Sequence, residues 1–318
     1  MANELSPKSI LPTVGQKVTQ LLQQHSAYDM LPVSFRLVVL DSTLQLTSGL
    51  ALLLQNGIDC APIWDSDNNA YLGMLTVTDI LTLIQHYYAE YSYSEAMAEL
   101  GKVQLYAFRT LHRKIAARDP NILSLHPLRS LYEAAQILVE EDYHSLALVD
   151  ADSFSNQDCV VSVLSLYRIL RFIAVNFQEK QLLRVPLGKL GIGTYQGIAT
   201  ATMMTRVIEI IHVFVERSIS VVPILDDQGK VVNVFEDSDI MNLAREDALG
   251  ELDMPVYEAL RRRPDDFGGV HTCRLTDTLL SVMDSLRKTH MHRLIVVDEA
   301  EHLVGIVSLS DILKAIIV

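Results

Sequence analysis

The stretch at residues 292–313, HRLIVVDEAEHLVGIVSLSDIL, contains the unit that decides the fold of this chain. An apolar strand ends in an aspartate, a polar turn follows, and a second apolar strand leads into a helix. The same order occurs as CAPIWD then GMLTVTDIL, SLALVD then VVSVLSLYRIL, and SVVPILD then VVNVFEDSDIM. The last polar position before the helical Ile is Asp79, Arg168, Asp239 or Asp311, at intervals of 89, 71 and 72 residues. A repeated unit therefore organises the chain.

Each repeat has the pattern strand, helix, strand, strand, helix, which predicts a mixed α/β (α+β) fold. In the first repeat RLVVLD predicts a strand, and LTSGLALLLQNG predicts a helix that Gly57 ends. APIWD and YLGML predict the next two strands around the polar turn DSDNN, and ILTLIQHYY predicts the second helix. Units of this kind are expected to pair through their sheets or helices, with functional clefts between repeats.

The repeats divide the chain into an N-terminal segment, four repeats and one insertion with apolar residues at helical spacing. The predicted segments are 1–27 (N-terminal segment), 28–88 (repeat 1), 89–118 (helical linker), 119–178 (repeat 2), 179–248 (repeat 3) and 249–318 (repeat 4).

Composition excludes several classes of partner and cofactor. A net charge of −13, from 26 basic and 39 acidic residues, argues against nucleic acid or an anionic membrane as a partner. Cys60, Cys159 and Cys273 form no CxxC pair, so we expect structural thiols, no bound metal and no metal requirement for folding. The first residues lack the order of a signal peptide, which predicts a cytoplasmic and nuclear protein.

Two of the repeats carry a capping box at the start of the last helix, Thr76 with Asp79 and Ser308 with Asp311. These aspartates can simply stabilise the helix. A carboxylate at a helix start beside a cleft can also accept hydrogen bonds from two vicinal hydroxyls, as on a ribose, and both roles are compatible.

The other two repeats depart from this pattern. Glu236 stands where the hydroxyl would be, so Asp239 is expected to form no capping box. Arg168 cannot accept a hydrogen bond, so a site for a diol in repeat 2 should be defective.

Basic residues recur at the strand starts of the repeats and are candidate phosphate ligands: His292, Arg293, Arg263, His271 and His144. Each alone could be a solvated charge or a core histidine. Together, in an acidic protein, they favour a local site for a nucleotide. No P-loop, GxSxG or HExxH motif is present, so no catalytic residue is predicted.

The repeat resembles the cystathionine β-synthase (CBS) domain, and the order of the copies resembles the γ regulatory subunits of AMP-activated/SNF1-type protein kinases. The resemblance covers about residues 26–318 and rests on SAYDMLPVSFRLVVLD, NGIDCAPIWDSDNNAYLGMLTVTDIL, LYRILRFIAVNF and residues 292–313. It implies two tandem pairs of repeats in a flattened disc, with AMP, ADP or ATP bound around a central channel. It also implies catalytic α and scaffolding β kinase subunits as partners.

The resemblance also implies roles for individual residues. Asp79, Asp239 and Asp311 would accept the ribose hydroxyls, and repeat 2 would be the empty exception. Further residues at the Asp311 site would be Thr194, Ile198, Ala199, Ser220, Val221, Ser308 and Ser310. His292 and Arg293 would face the phosphates. Asp59, Ser145 and Tyr167 stand where the resemblance leads one to expect basic residues.

The function implied is that of a non-catalytic subunit that senses adenine nucleotides in a heterotrimeric Ser/Thr kinase. Two other hypotheses stay open at this point. One is the CBS regulatory part of a nucleotide-metabolising enzyme, although the repeats leave no room for a catalytic domain. The other is a CBS scaffold with vestigial pockets.

Overall fold

The computed structural model describes residues 7–31, 35–90, 101–107, 123–141, 143–152, 157–245, 251–263 and 267–317. The helices in these ranges are α1 (Pro7–Gln23), α2 (Leu46–Asn56), α3 (Val77–Glu90), α4 (Leu131–Glu140), α5 (Leu166–Asn176), α6 (Leu187–Leu190), α7 (Val207–Arg217), α8 (Asp237–Arg245), α9 (Val256–Leu260), α10 (Leu279–Thr289) and α11 (Leu309–Ile316). The strands are β1 (Leu40–Asp41), β2 (Cys60–Asp65), β3 (Ala70–Thr76), β4 (Ser124–Leu125), β5 (Ser145–Asp152), β6 (Gln157–Ser165), β7 (Val221–Leu225), β8 (Val231–Glu236), β9 (Thr272–Cys273), β10 (Arg293–Val297) and β11 (Leu303–Ser308).

Each repeat builds a small sheet in the predicted order. The second strand pairs antiparallel with the third, and in repeats 1, 2 and 4 it also pairs parallel with a short first strand. In repeat 3, β7 pairs with β8, and an isolated parallel bridge from Ala201 to Ile224 takes the place of the first strand. The mixed α+β fold is confirmed.

One predicted strand is too long. RLVVLD was expected to be a strand throughout, yet β1 pairs with β2 only at Leu40 with Ile63 and Asp41 with Trp64. Val39, just before it, is 39% exposed. Apolar residues favour a strand locally, but the length of the ladder is fixed by the partner strand.

A backbone hydrogen bond recurs in every repeat and ties the helix start to the start of the second strand. The amide of the first residue of the last helix donates to the carbonyl of the residue before the second strand. The four pairs and their N–O distances are Val77 to Asp59 (3.0 Å), Leu166 to His144 (3.0 Å), Asp237 to Ser220 (3.2 Å) and Leu309 to His292 (2.9 Å). The predicted ribose position and the predicted phosphate position therefore lie side by side in each repeat.

The repeats pack in a closed ring. The helices of repeats 2 and 4 form one core together with α1, and the helices of repeats 1 and 3 form another. Between sheets, repeats 1 and 2 meet around Tyr71 and Val149, and repeats 3 and 4 meet around Val221 and Ile295. Each repeat thus contacts its tandem partner through the sheet and one repeat of the other pair through helices, as the predicted disc of two pairs requires.

Within each tandem pair, the segment that precedes the sheet of one repeat packs on the other repeat. Ser26, before repeat 1, bridges Ser130 of repeat 2, and Pro186, before β7, bridges Thr278 of repeat 4. Conversely, Leu105, after repeat 1, is buried in the core that contains repeat 1. The predicted repeats are continuous in sequence, with boundaries at 28–88, 119–178, 179–248 and 249–318. In the structure, the segment that precedes each of these three repeat sheets packs on the other repeat of its pair.

The predicted linker at 89–118 falls largely outside the described residues. Within its described part, α3 continues to Glu90 and residues 105–107 are helical. None of the described helices combines the length and the apolar character needed to cross a membrane.

Candidate functional site

Asp311 uses one carboxylate oxygen to hold the start of α11. Its Oδ2 accepts from the amide of Ser308 at 2.9 Å and from the hydroxyl of Ser308 at 2.7 Å, and the amide of Asp311 donates to Ser308 Oγ at 3.1 Å. The predicted capping box is confirmed. Asp311 Oδ1 accepts no hydrogen bond from any residue that the structure describes. The capping role and a ligand-accepting role are therefore compatible at this carboxylate.

The strand start that carries His292 and Arg293 lies next to this helix start. Arg293 is the register partner of Ser308 in the β10–β11 pair, and the carbonyl of His292 accepts from the amide of Leu309 at 2.9 Å. The guanidinium of Arg293 on β10 thus lies beside the start of α11, which carries the Asp311 carboxylate and the half-buried Ser310.

Arg293 reaches from repeat 4 into repeat 3. Its Nη1 donates to the carbonyl of Ser220 at 2.9 Å, and its Nη2 donates to Ser220 Oγ at 2.9 Å. Glu236 Oε1 lies 3.6 Å from Nη1. Burial raises the pKa of the Glu236 carboxyl, and the charge of Arg293 opposes that rise. The structure therefore brings the predicted residues Ser220 and Arg293 into direct contact.

The connector, residues 184–201 ahead of β7, is held on β11 by backbone hydrogen bonds. The amide of Thr194 donates to the carbonyl of Ile306 at 2.8 Å, and the amide of Ile306 donates back at 2.9 Å. The Tyr195 ring lies on Gly305, where a Cβ atom would come within 2.4 Å of the ring. Burial raises the pKa of Tyr195, and the charges of Cys273 and Asp311 raise it further. Thr194 is thereby held near Asp311.

Three other predicted residues lie in or near the interfaces. Val221 is buried in the sheet interface of repeats 3 and 4. Ala199 packs against the helical core of repeats 1 and 3, and Ile198 is half-buried beside it in the connector.

Strand starts from different repeats meet around His292. Burial lowers the pKa of His292, the charge of Arg293 lowers it further, Asp59 raises it, and His144 lowers it. These groups come from repeats 1, 2 and 4, so His144 and Arg293 lie close enough to His292 to shift its pKa, and their joint role as phosphate ligands stays a prediction. His271 lies at the head of β9, where its carbonyl accepts from the amide of Ile295 at 3.0 Å.

Asp237 belongs to this centre and was missed by the sequence reasoning. Burial raises its pKa to about 7; Arg293 lowers the value, and Asp59 and Glu236 raise it. Its position directly after Glu236 at a helix start was the available signal. Among the residues that the structure describes, no group of three His, Cys, Asp or Glu side chains could hold a metal ion.

Repeats 1 and 2 differ in the same way as the sequence predicts. Asp79 Oδ2 accepts from the amide of Thr76 at 2.9 Å and from its hydroxyl at 2.6 Å, which confirms the first capping box. In repeat 2, Ser165 caps α5, and Arg168 Nη1 donates to the carbonyl of Val163 at 3.0 Å. The position equivalent to Asp79 therefore carries a donor.

Arg263, a predicted phosphate ligand, forms a buried ion pair with Asp239 in this structure. Its Nε lies 2.5 Å from Asp239 Oδ1, and its Nη2 lies 2.6 Å from Asp239 Oδ2. The side chains are only 7% and 4% exposed. A buried carboxylate needs a compensating charge, and Arg263 supplies it. Asp239 forms half of a capping geometry, since its Oδ2 accepts from the amide of Glu236 at 2.7 Å.

Comparison with known proteins identifies the family. The CBS domain model matches residues 27–86, 196–246 and 268–318. The 5′-AMP-activated protein kinase subunit gamma of Saccharomyces cerevisiae is 39% identical over 302 residues, which is 95% of this chain and 93% of the yeast protein. The chain belongs to the γ-subunit family of AMP-activated protein kinase. The gamma-3 subunit of Bos taurus is 32% identical, over 95% of this γ-family chain and 60% of the bovine protein.

The fold of the γ-family chain also occurs in a solved archaeal structure. A protein of Methanocaldococcus jannaschii superposes with a TM-score of 0.70 at 16% identity, over 91% of this chain and 99% of that one. Repeat 2 lies outside the CBS matches, yet its β4–β5–β6 sheet and α4 and α5 follow the same order as the other repeats.

Proposed function

We propose that this chain is the non-catalytic γ subunit of a heterotrimeric Ser/Thr kinase and that it binds AMP, ADP and ATP at the interface of repeats 3 and 4. Its partners are catalytic α and scaffolding β subunits, and its location is cytoplasmic and nuclear. The observation that carries the proposal is the open Oδ1 of Asp311 beside Arg293, at a capped helix start of a γ-family chain.

In this pocket Asp311 accepts from the ribose hydroxyls, while Oδ2 keeps its hydrogen bonds to Ser308. Arg293 contacts the α-phosphate, which all three nucleotides share, so AMP, ADP and ATP compete. Each hydrogen bond to a charged group contributes about 1.5 to 3 kcal/mol. Thr194 and Tyr195 close the pocket from the connector side because they are fixed to β11.

Regulation follows from the ring of repeats. A nucleotide at one interface changes the kinase only if its affinity differs between the conformations of the complex. The pocket lies between two repeats that also touch repeats 1 and 2, so such a difference can be transmitted through shared packing.

The two rival functions make different demands. A scaffold with vestigial pockets needs no unsatisfied acceptor, whereas Asp311 Oδ1 is left open by the residues that the structure describes. A nucleotide-hydrolysing enzyme would release phosphate from ATP on incubation with the purified chain. We expect no release above a blank.

Calorimetric titration of AMP into the assembled complex tests the proposal. Asp311→Asn keeps an oxygen that can cap α11 but removes the charge, so we expect AMP affinity to fall about 10-fold or more. Asp284→Asn is the matched control, because Asp284 is an exposed carboxylate of α10 paired with Arg287. Unchanged affinity in a folded Asp311→Asn complex would contradict the proposal.

A further inference from the structure

Tyr167 of repeat 2 contacts the end of the helix that leads to the proposed phosphate ligands of repeat 4. It is the second residue of α5 and follows Leu166, whose amide donates to the carbonyl of His144 at 3.0 Å. The Tyr167 hydroxyl donates to the carbonyl of Arg287 in α10 at 3.0 Å and lies 3.0 Å from His290 Nδ1. One side chain of repeat 2 thus makes two polar contacts with repeat 4.

These two contacts determine which atom donates each hydrogen bond. A tyrosine hydroxyl has one hydrogen, which here is directed to the carbonyl of Arg287, so His290 Nδ1 donates to the hydroxyl oxygen. The last carbonyls of a helix have no partner inside the helix, and Tyr167 supplies one for Arg287. Tyr167 is therefore both a donor and an acceptor at the end of α10.

His290 ends α10 in the left-handed conformation, with φ 58° and ψ 19°. A residue with a Cβ atom adopts this conformation at a cost, so its surroundings must support it. The ring of Tyr167 lies beside the ring of His290, with the two centroids 5.4 Å apart. The chain then continues through Met291, which packs against the core of repeats 2 and 4, into His292 and Arg293. The turn that leads into β10 is thus held from repeat 2.

The two residues after this turn are held by different repeats. The Tyr167 ring lies near the ring of His292, with centroids 6.4 Å apart, which is within the range of aromatic pairs. The guanidinium of Arg293 donates to the carbonyl and to the hydroxyl of Ser220, both at 2.9 Å. Repeat 2 therefore holds the backbone ahead of Arg293, and repeat 3 holds its guanidinium.

We propose that Tyr167 is a positioning residue for nucleotide phosphate: it holds the turn at His290 and so sets the placement of His292 and Arg293. The inference rests on the proposed function, because it takes Arg293 as the phosphate ligand. Repeat 2 carries Arg168 in place of an acceptor for ribose, and through Tyr167 it contributes to nucleotide binding by repeat 4. Loss of the contact should affect ligands with a phosphate and spare adenosine.

Competitive titration of AMP and adenosine on the assembled complex tests the Tyr167 contact. Tyr167→Phe keeps the ring and loses both hydrogen bonds, so we expect AMP affinity to fall about 3- to 10-fold and adenosine affinity to stay almost unchanged. Tyr28→Phe is the matched control, because Tyr28 follows α1 and is 57% exposed, and it should bind both ligands as the wild type does. Unchanged AMP affinity in Tyr167→Phe, or equal losses for AMP and adenosine, would overturn the inference.

Two substitutions of His290 separate the hydrogen bond from the stability of the turn. Glycine adopts the left-handed conformation without a steric cost but has no donor for Tyr167, so His290→Gly should keep the urea midpoint of unfolding and weaken AMP about 3-fold or more. Asparagine also tolerates this conformation, and its amide can donate, so His290→Asn should bind AMP more tightly than His290→Gly. Equal AMP affinities in the two variants would contradict the inference.

Arg293→Gln distinguishes failure of this inference from failure of the proposed function. In that background Tyr167→Phe should weaken AMP only about 2-fold or less, because the guanidinium that Tyr167 helps to place is absent. An equal cost of Tyr167→Phe in both backgrounds would overturn the positioning role alone. Unchanged AMP affinity in both Arg293→Gln and Asp311→Asn would overturn the proposed function itself.

Discussion

Asp311 and Asp239 show how one residue type at equivalent positions acquires different properties from its surroundings. Both cap a helix through Oδ2, and the difference lies in the partner of Oδ1. The caps at Thr76–Asp79 and Ser308–Asp311 were predictable because the partners lie three residues apart. The partner of Asp239 was not, because it lies 24 residues away and RRRPDD offers several candidate cations.

At the same scale, Arg293 is expected to act on phosphate. Arg293→Gln should weaken AMP, ADP and ATP about 10-fold or more and leave adenosine almost unchanged, because adenosine lacks the α-phosphate. Competitive titration of the four ligands measures this. Arg287→Gln on α10 is the control, since Arg287 pairs locally with Asp284. Equal losses for adenosine and AMP would mean that Arg293 supports the interface through Ser220 instead of binding phosphate.

His292 differs from Arg293 in the charge of its side chain at neutral pH. Because burial lowers the pKa of His292 below its ordinary value of 6.5, its ring is neutral at neutral pH and carries one N–H. A contribution of His292 to phosphate binding would therefore be that of a neutral donor, while Arg293 stays charged throughout.

At the scale of elements, local sequence patterns predicted where helices end but did not predict which strands pair or over what length. Gly57 ends α2 in the left-handed conformation, with φ 61° and ψ 42°, as its sequence position predicts. The short β1 and the exchange of Ser26 onto repeat 2 depend on distant pairing partners. Such contacts are fixed by the packed assembly of the repeats, which a pattern in one segment does not encode.

The connector and β11 provide a test at this scale. Gly305→Ala places a methyl group against the Tyr195 ring, so the connector must move from β11. We expect a loss of about 1 to 3 kcal/mol in the free energy of unfolding, measured by urea denaturation, together with weaker AMP binding.

A double-mutant cycle distinguishes this clash from other effects of the added methyl group. In a Tyr195→Ala background the ring contacts are gone and the backbone oxygen of Thr194, 3.0 Å from the added Cβ atom, is the remaining close contact, so the cost of Gly305→Ala should fall to roughly half or less. An equal cost in both backgrounds would show that the Tyr195 contact does not position the connector.

At the scale of the whole molecule, the ring of repeats brings charges from distant parts of the sequence to one centre. Asp59, Asp237, His292 and Arg293 come from repeats 1, 3 and 4, and the charges of Asp59 and Arg293 shift the pKa values of both Asp237 and His292. The tandem pairs and their convergence were predictable from the repeat and its strand starts. Which carboxylate would be most perturbed was not, because the charges that act on the buried Asp237 carboxyl come from repeats 1 and 4 as well as from its own repeat.

The raised pKa of Asp237 makes a prediction for stability. Its carboxyl has a pKa of about 7 in the folded chain against an ordinary value of 3.8. Between these values the unfolded chain has lost the proton that the folded chain keeps, so this group lowers stability as pH rises through that window. Above about pH 7 the cost is constant.

Asp237→Asn should therefore gain stability relative to the wild type as pH rises from about 4 to about 7, and gain no more above it. Urea denaturation of both proteins at several pH values measures the difference in their free energies of unfolding. His292 titrates in both proteins, so its contribution cancels from this difference if the substitution leaves the pKa of His292 unchanged. Asp227→Asn, at an exposed position in the β7–β8 turn, is the control. A stability difference between Asp237→Asn and the wild type that does not change with pH would contradict the raised pKa of Asp237.

The central claim is that an adenine nucleotide binds between repeats 3 and 4 with its ribose on Asp311. The most direct measurement is the electron density of AMP in crystals of the assembled complex. We predict ribose oxygens within hydrogen-bond distance of Asp311 Oδ1 and a phosphate beside Arg293. AMP bound elsewhere, with no nucleotide density at Asp311, would contradict the account.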